Sequence, residues 1–264
     1  MFPPARIVCL TEETVETLYL LGEEARIVGI SHYVVRPPRA RKEKPRVTSF
    51  VTGNVDEIVA LRPDLVLGFS DVQAELAATL VKRGLEVLVT NQRTVAEILD
   101  AIRLLGAIVG RPAEAAALAD GLAANVAATR DRAATLPRRP RVYFEEWDDP
   151  LISAIGWVSE LIEVAGGDEI FAERRGGRAA RERFVEPADV LDRAPELVLA
   201  SWCGKKFNRK RFEARPGFAD LPAVRAGQVF EVPSPIILQP GPAALTDGLA
   251  ALEGRIRGCV QPPS

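Results

Sequence analysis

Histidine is almost missing: His32 is the only one in 264 residues. A metal centre built from several imidazoles is therefore excluded. Cysteine is scarce too. Cys9, Cys203 and Cys259 are odd in number and widely spaced, so they signal neither a disulfide framework nor a zinc knuckle. Three unpaired thiols suit a reducing compartment. No apolar run approaches the roughly 18 residues of a membrane-spanning helix. The net charge is only −2, which argues against nucleic acid as the main partner, since that normally calls for a strong basic field. The G-x-S-x-G elbow is absent, as are the G-x-x-x-x-G-K-[ST] loop and the G-x-G-x-x-G fingerprint. The opening MFPPARIVCLTEET has no basic start, long apolar core or small-residue cleavage site, so it does not read as a signal peptide. A complete chain would then stay in the cytoplasm.

What is present is a phrase used twice. Residues 56–70 read DEIVALRPDLVLGFS and residues 188–202 read ADVLDRAPELVLASW. Pro63 matches Pro195, Asp64 matches Glu196, and Leu65-Val66-Leu67 matches Leu197-Val198-Leu199. A fainter echo pairs ETLYLLGEEARI at 16–27 with ELIEVAGGDEIF at 160–171. Two echoes in the same order imply two lobes on one plan. A cleft between two such lobes is a usual place for a small molecule.

Apolar periodicity predicts strands at 6–10, 26–30, 65–67 and 86–89, alternating with helices at 13–21, 54–61, 71–83 and 94–109. Glu12, Glu13 and Glu16 near the first helix start suit its dipole, and Gly22 stops it. Such alternation implies a parallel sheet covered on both faces. Residues 112–136 differ. Pro112 suits a first helical position, alanine is frequent, and Leu118, Leu122 and Val126 share one face. One rigid helix of about 37 Å is expected there, a strut between an N-terminal α/β lobe (1–111) and a C-terminal one (137–264). Beyond it, strands are predicted at 141–145, 197–200 and 228–232, and helices at 158–165, 187–193 and 243–257. The Gly- and Arg-rich 172–183 reads as a mobile loop, and the proline-rich 234–242 as irregular.

Ligands of open α/β sheets sit beyond the carboxyl ends of the strands. Those positions carry His32, Tyr33, Phe50, Phe69, Trp147 and Trp202, and Trp157 opens a helix nearby. Tyr and Trp offer large apolar surfaces with one polar handle, suited to clasping a flat ligand, although rings can also fill gaps between lobes. Glu145, Glu146, Asp148 and Asp149 crowd around Trp147. They are acid–base groups, cation ligands or a solvated loop. His32 is a ligand contact or a hydrogen-bonded turn residue. Lys205, Lys206, Arg209, Lys210, Arg211 and Arg215 form a basic cluster, which either holds an anionic ligand or is a solvated face.

The order of RIVCLTEETVETLYLLG, VGISHY with Pro37-Pro38, NVDEIVALRPDLVLG, ELIEVAGGDEIF, VEPADVLDRAPELVLAS and PGPAALTDGLAAL runs over nearly the whole length. In it the chain resembles the substrate-binding proteins of ABC importers for cobalamin, haem or ferric siderophores. It is most similar to the helical-backbone (class III) type, whose two lobes are joined by one rigid helix. The stretch EEWDDPLISAIGWVSELIEVAGG is most similar to cobalamin-binding members. The resemblance implies an α/β fold of two similar lobes with parallel-rich central sheets and a ligand cleft between them. It implies binding without catalysis, no intrinsic cofactor, and a corrinoid or other flat metal chelate as ligand, with haem or a ferric siderophore as the alternative. Tyr33 and Phe50 match positions where cobalamin binders carry Tyr and Trp. Trp157 and Trp202 would face them from the second lobe, with His32, Phe69, Trp147 and Lys205 alongside. Docking on an ABC permease dimer would use Asp56 or Glu57 on one lobe and Glu186 or Asp189 on the other, Ala188 holding the nearest equivalent place. A family member is periplasmic or at the cell surface once a leader is removed. The remaining readings are an enzyme using Glu145, Glu146 and His32, and a cytoplasmic regulatory module.

Overall fold

The computed structural model describes residues 3–48 and 54–261. The chain forms two compact units, Met1–Gln92 with Ala96–Leu122 and Gln239–Pro242, and Arg93–Val95 with Ala123–Leu238 and Ala243–Ser264. The first unit carries β1 (Ile7–Cys9), α1 (Glu12–Leu20), β2 (Ile27–Ser31), α2 (Ala40–Glu43), β3 (Arg46–Thr48), α3 (Val55–Ala60), β4 (Leu65–Phe69), α4 (Ala74–Lys82), β5 (Val87–Thr90) and nearly all of α5 (Val95–Ile108). The helix α6 (Pro112–Ala133) gives its first half to this unit and its second half to the other.

The first sheet has the order β3-β2-β1-β4-β5, with every pair parallel. Side chains alternate across a strand, so each sequence run feeds two cores. Ile7, Cys9 and Leu67 pack with Val15 and Leu18 of α1 and with Leu105 of α5. Val8 and Val66 pack on the opposite side with Ile58 of α3 and with Leu76 and Leu80 of α4. Strands buried on both faces read as continuous apolar runs, which is why LVL at 65–67 was legible.

The second unit continues with β6 (Arg141–Asp148), β7 (Leu151–Ser153), α7 (Gly156–Val164), β8 (Asp168–Glu169), α8 (Pro187–Arg193), β9 (Leu197–Ala200), α9 (Arg209–Glu213), α10 (Pro222–Arg225), β10 (Val229–Glu231), α11 (Ser234–Ile237) and α12 (Leu249–Val260). Its sheet runs β10-β9-β6-β7, with β8 also on β6. Only β7 is antiparallel.

The repeated phrase lands on the same device in each unit, α3 leading into β4 and α8 leading into β9. At its centre an acid grips the strand next door. Asp64 accepts from the backbone N–H groups of Ala5 (2.9 Å) and Arg6 (2.8 Å). Glu196 accepts from the N–H of Arg141 at 3.0 Å. Each acid's own N–H donates to the carbonyl of the same arginine, Asp64 to Arg6 and Glu196 to Arg141, both at 2.9 Å. Each arginine then caps the end of the preceding helix. Arg6 Nη2 donates to the Leu61 carbonyl (2.6 Å) and Arg141 Nε to the Ala194 carbonyl (3.0 Å), which satisfies acceptors that a helix end leaves open. The chain leaves both helices through a left-handed residue before proline, Arg62 at φ 49° and Ala194 at φ 44°, the usual backbone of such an exit.

Several expectations need correction. The predicted helix 112–136 ends at Ala133. The helix expected over 71–83 begins as a 3₁₀ turn, Asp71–Gln73. There the Gln73 side chain turns inward to accept from the Phe69 N–H at 2.9 Å. The last helix opens with a π-helical turn, Ala244–Gly248. The segment expected as a mobile loop, 172–183, forms two short 3₁₀ turns instead. Arg183 anchors it, only 2% exposed, bonded to Glu146 and to the Ser153 carbonyl. The proline-rich 234–242 contains the single-turn helix α11. Finally, β6 runs to Asp148 because β7 folds back on it, pairing Trp147 with Ile152 and Asp148 with Leu151. The acidic group around Trp147 is therefore largely strand, not solvated loop.

Replacing Asp64 by Ala is expected to cost about 1–2 kcal/mol, the range for a capping carboxylate on backbone N–H groups. Glu196→Ala should cost a similar amount. Urea denaturation of the two variants checks this, and a free energy unchanged in both would refute the clamp.

Candidate ligand-binding site

All five strands of the first sheet are parallel, so their carboxyl ends share one edge. After β2 come His32 and Tyr33, both exposed, Tyr33 by 55%. His32 is held by the end of β3. Its backbone N–H donates to the Thr48 carbonyl at 2.7 Å, and its ring Nδ1 lies 2.8 Å from the same oxygen. A carbonyl oxygen only accepts, so Nδ1 carries the proton there. Phe69 ends β4 on the same edge, but it is buried. Phe50 lies outside the described residues.

After β1 the chain turns into α1 at Thr11, and Glu12 and Glu13 are buried. The sequence suggested acids that merely suit the helix dipole. Their burial was hidden because nothing local reports what covers a helix start. The backbone of Val35 and Arg36 lowers the Glu12 carboxyl against its burial, and Arg36 pairs with Glu16 at 3.0 Å. These contacts tie the turn that carries His32 and Tyr33 to α1. The Thr11 hydroxyl donates to Glu13 Oε1 at 2.5 Å. Glu12 Oε1 and Glu13 Oε2 are buried without a hydrogen-bond partner. Burial pushes the Glu12 carboxyl up to about 8 and the Glu13 carboxyl up to about 7.

In the second unit the carboxyl ends of β6 and β9 bring acids, tryptophans and cations together. Glu145 is fully buried. Arg215 grips it with both terminal nitrogens, at 2.6 and 3.0 Å. The Trp202 indole N–H (3.0 Å) and the Tyr143 hydroxyl (3.1 Å) donate to it as well. Burial pushes this carboxyl up, against the pull of Arg215. Asp148 takes Lys205 and, at 3.0 Å, Arg211. Lys205 also lies 4.0 Å from the Trp147 ring centre, a cation–π distance. Three cations of the basic cluster, read as an anion holder or a solvated face, are thus spent on two carboxylates of β6.

The tryptophans fare differently from one another. Trp202 is 2% exposed and part of the second unit's core, edge-on to Phe207 at 5.0 Å. It is a core residue with its N–H already used. Trp157 is 1% exposed, and its N–H donates to the Ile237 carbonyl at 2.8 Å. Trp147 is half-buried, with its N–H on the Asp149 carbonyl at 3.0 Å. Of the carboxylates considered for catalysis, Glu145 is locked by Arg215 and Glu146 by Arg183.

The acids considered for docking sit in the first turns of the two repeated helices. Glu57 lies at the third position of α3, where Asn54 donates to its side chain at 2.8 Å. Asp189 lies at the matching position of α8 and accepts from the Glu186 N–H at 3.3 Å. Asp56 is exposed and pairs with Arg83 at 2.8 Å. Glu186 is exposed at the helix cap. Asp189 thus has a helix-capping role of its own, and Glu57 steadies the side chain of the capping Asn54.

Two parallel-rich α/β sheets with a long helix shared by both units are an architecture of solute-binding proteins. A match to the periplasmic binding protein family spans residues 7–236, and the chain belongs to that family. The vitamin B12-binding protein of Salmonella typhi is 28% identical over 206 residues, covering 76% of this chain and 74% of that one. The crystal structure of the periplasmic vitamin B12-binding protein of Vibrio cholerae superposes with a TM-score of 0.76 at 24% identity, covering 99% of this chain and 100% of that one. A periplasmic haem-binding protein of Pseudomonas aeruginosa superposes with a TM-score of 0.82 at 21% identity, covering 99% and 95%. At those identities the two structures speak for the fold alone. Among the described residues no helix is long and apolar enough to cross a membrane.

The raised carboxyls make stability depend on pH. Glu12 and Glu13 bind protons more tightly in the folded chain than at the ordinary value of 4.5. Their contribution is complete below that value and is lost as pH rises through about 7 for Glu13 and about 8 for Glu12. Urea unfolding from pH 5 to 9 should show stability falling, by up to about 1.4 kcal/mol per pH unit for each group. Glu12→Gln should make the fall shallower, and an identical slope would refute the assignment.

Proposed function

We propose that this chain is a non-enzymatic binding protein for a corrinoid, a cobalamin-like flat metal chelate. The observation that carries this reading is the pair His32 and Tyr33, exposed side by side at the carboxyl edge of a parallel sheet. The chain is 28% identical over 206 residues to a vitamin B12-binding protein. Tyr33 offers a ring face to a macrocycle. Trp147 is a half-buried ring near the carboxyl end of β6 in the second unit, with Lys205 over it. Trp157 and Trp202 support that unit from its interior. The charge pattern favours a corrin with amide arms over a polyanionic siderophore, because Lys205, Arg211 and Arg215 are already neutralised by Asp148 and Glu145. The second reading is haem binding, which the 25% identity to a periplasmic haem-binding protein of Roseiflexus sp. RS-1, over 95% of this chain, supports. Delivery to an ABC permease dimer would use Asp56 or Glu57 and Glu186 or Asp189, of which Glu57 and Asp189 hold equivalent places in the two repeats.

Calorimetric titration with cyanocobalamin, with haemin in parallel, tests this. Saturable one-to-one binding is expected. Tyr33→Ala should weaken it roughly threefold to tenfold, the worth of one aromatic stack. Tight haemin binding with no response to cyanocobalamin at high micromolar concentration would replace the corrinoid by haem.

A further inference from the structure

We propose that His32 is an axial ligand to the metal of the bound chelate, through Nε2. This rests on the corrinoid reading and adds how the metal itself is recognised. The ring is oriented by its own backbone surroundings. Nδ1 donates to the Thr48 carbonyl at 2.8 Å, which in the neutral imidazole leaves the lone pair on Nε2. A carbonyl that fixes one ring nitrogen so that the other can bind metal is the usual support of a ligating histidine. The His32 N–H on the same oxygen (2.7 Å) holds the residue a second time. Arg36, paired with Glu16 of α1 at 3.0 Å, holds the rest of the turn. The residue so fixed is nevertheless exposed.

A lone histidine makes a poor site for a bare ion, and among the described residues no group of three or more His, Cys, Asp or Glu side chains could hold one. A chelate changes that requirement. The macrocycle already fills the equatorial positions, so the protein needs to supply only one donor, along the axis. Tyr33, next in sequence and 55% exposed, provides the ring contact beside it. The step is a ligand substitution on cobalt(III). The bond from cobalt to a bound water breaks, the bond from cobalt to Nε2 forms, and the water leaves neutral. No electron changes hands. The ligand chosen should therefore be a corrinoid with at least one exchangeable axial position.

The test uses the full chain and two corrinoids without a tethered base. Aquocobinamide has exchangeable axial water, and dicyanocobinamide has both axial positions blocked by cyanide. Binding of aquocobinamide should shift the visible absorption bands as nitrogen replaces oxygen on cobalt. In His32→Ala the shift should vanish, and the preference for aquocobinamide over dicyanocobinamide should fall at least about tenfold, as for loss of a metal-site group. Tyr33→Ala should weaken both corrinoids together and leave the band shift in place. Because His32 is the only histidine, an imidazole signal on cobalt has one possible source. Identical bands in wild type and His32→Ala overturn axial ligation and leave corrinoid binding standing. Failure of wild type to bind either corrinoid overturns both.

Discussion

In each unit an arginine at the foot of a central strand is gripped by the acid that opens the neighbouring strand, Arg6 by Asp64 and Arg141 by Glu196. The grip sets strand register, with Ile7 facing Leu65 in one sheet and Val142 facing Leu197 in the other. A slip of one residue would turn every side chain to the opposite face. Val8 and Val66 would trade cores with Ile7 and Leu67, and different residues would emerge at the carboxyl edge. Everything offered at that edge, His32 and Tyr33 included, depends on the strands being held in this alignment.

The two edges are chemically unlike. In the second unit charge is turned inward. Glu145 and Asp148 are buried, and taking such carboxylates out of water is tolerable only with cations and donors around them. Arg215, Lys205 and Arg211 serve that need. In the first unit Glu12 and Glu13 meet the same penalty without cations of their own, so burial raises their affinity for protons instead. What remains outward-facing there is a tyrosine ring and an imidazole with its orientation fixed.

Much of this was legible along the chain. The phrase ending in PDLVL and PELVL predicted two equivalent helix–strand units, because a left-handed exit, a proline and an apolar run are all local requirements. The long alanine-rich helix was legible for the same reason. His32, Tyr33 and Phe69 were legible because they stand at the carboxyl ends of apolar runs, a place that periodicity marks unaided. What was not legible shares a cause. Trp202, read as a ligand partner or a gap filler, is buried in the second unit's core. The arginines of 172–183 resembled a mobile loop and are anchored through Arg183. The basic run at 205–215 left an anion site and a solvated face open, and three of its cations, Lys205, Arg211 and Arg215, are matched by acids more than fifty residues earlier in the chain.

Periodicity, helix caps and turn residues act between neighbours, so order of elements, sheet type and the doubled plan are determined by the chain read alone. Burial and ion pairing act between residues far apart in sequence. Which tryptophan is covered, which glutamate holds its proton and which lysine is already spent therefore depend on the folded contacts. A residue's chemistry is written in its type, but its availability is set by what packs against it.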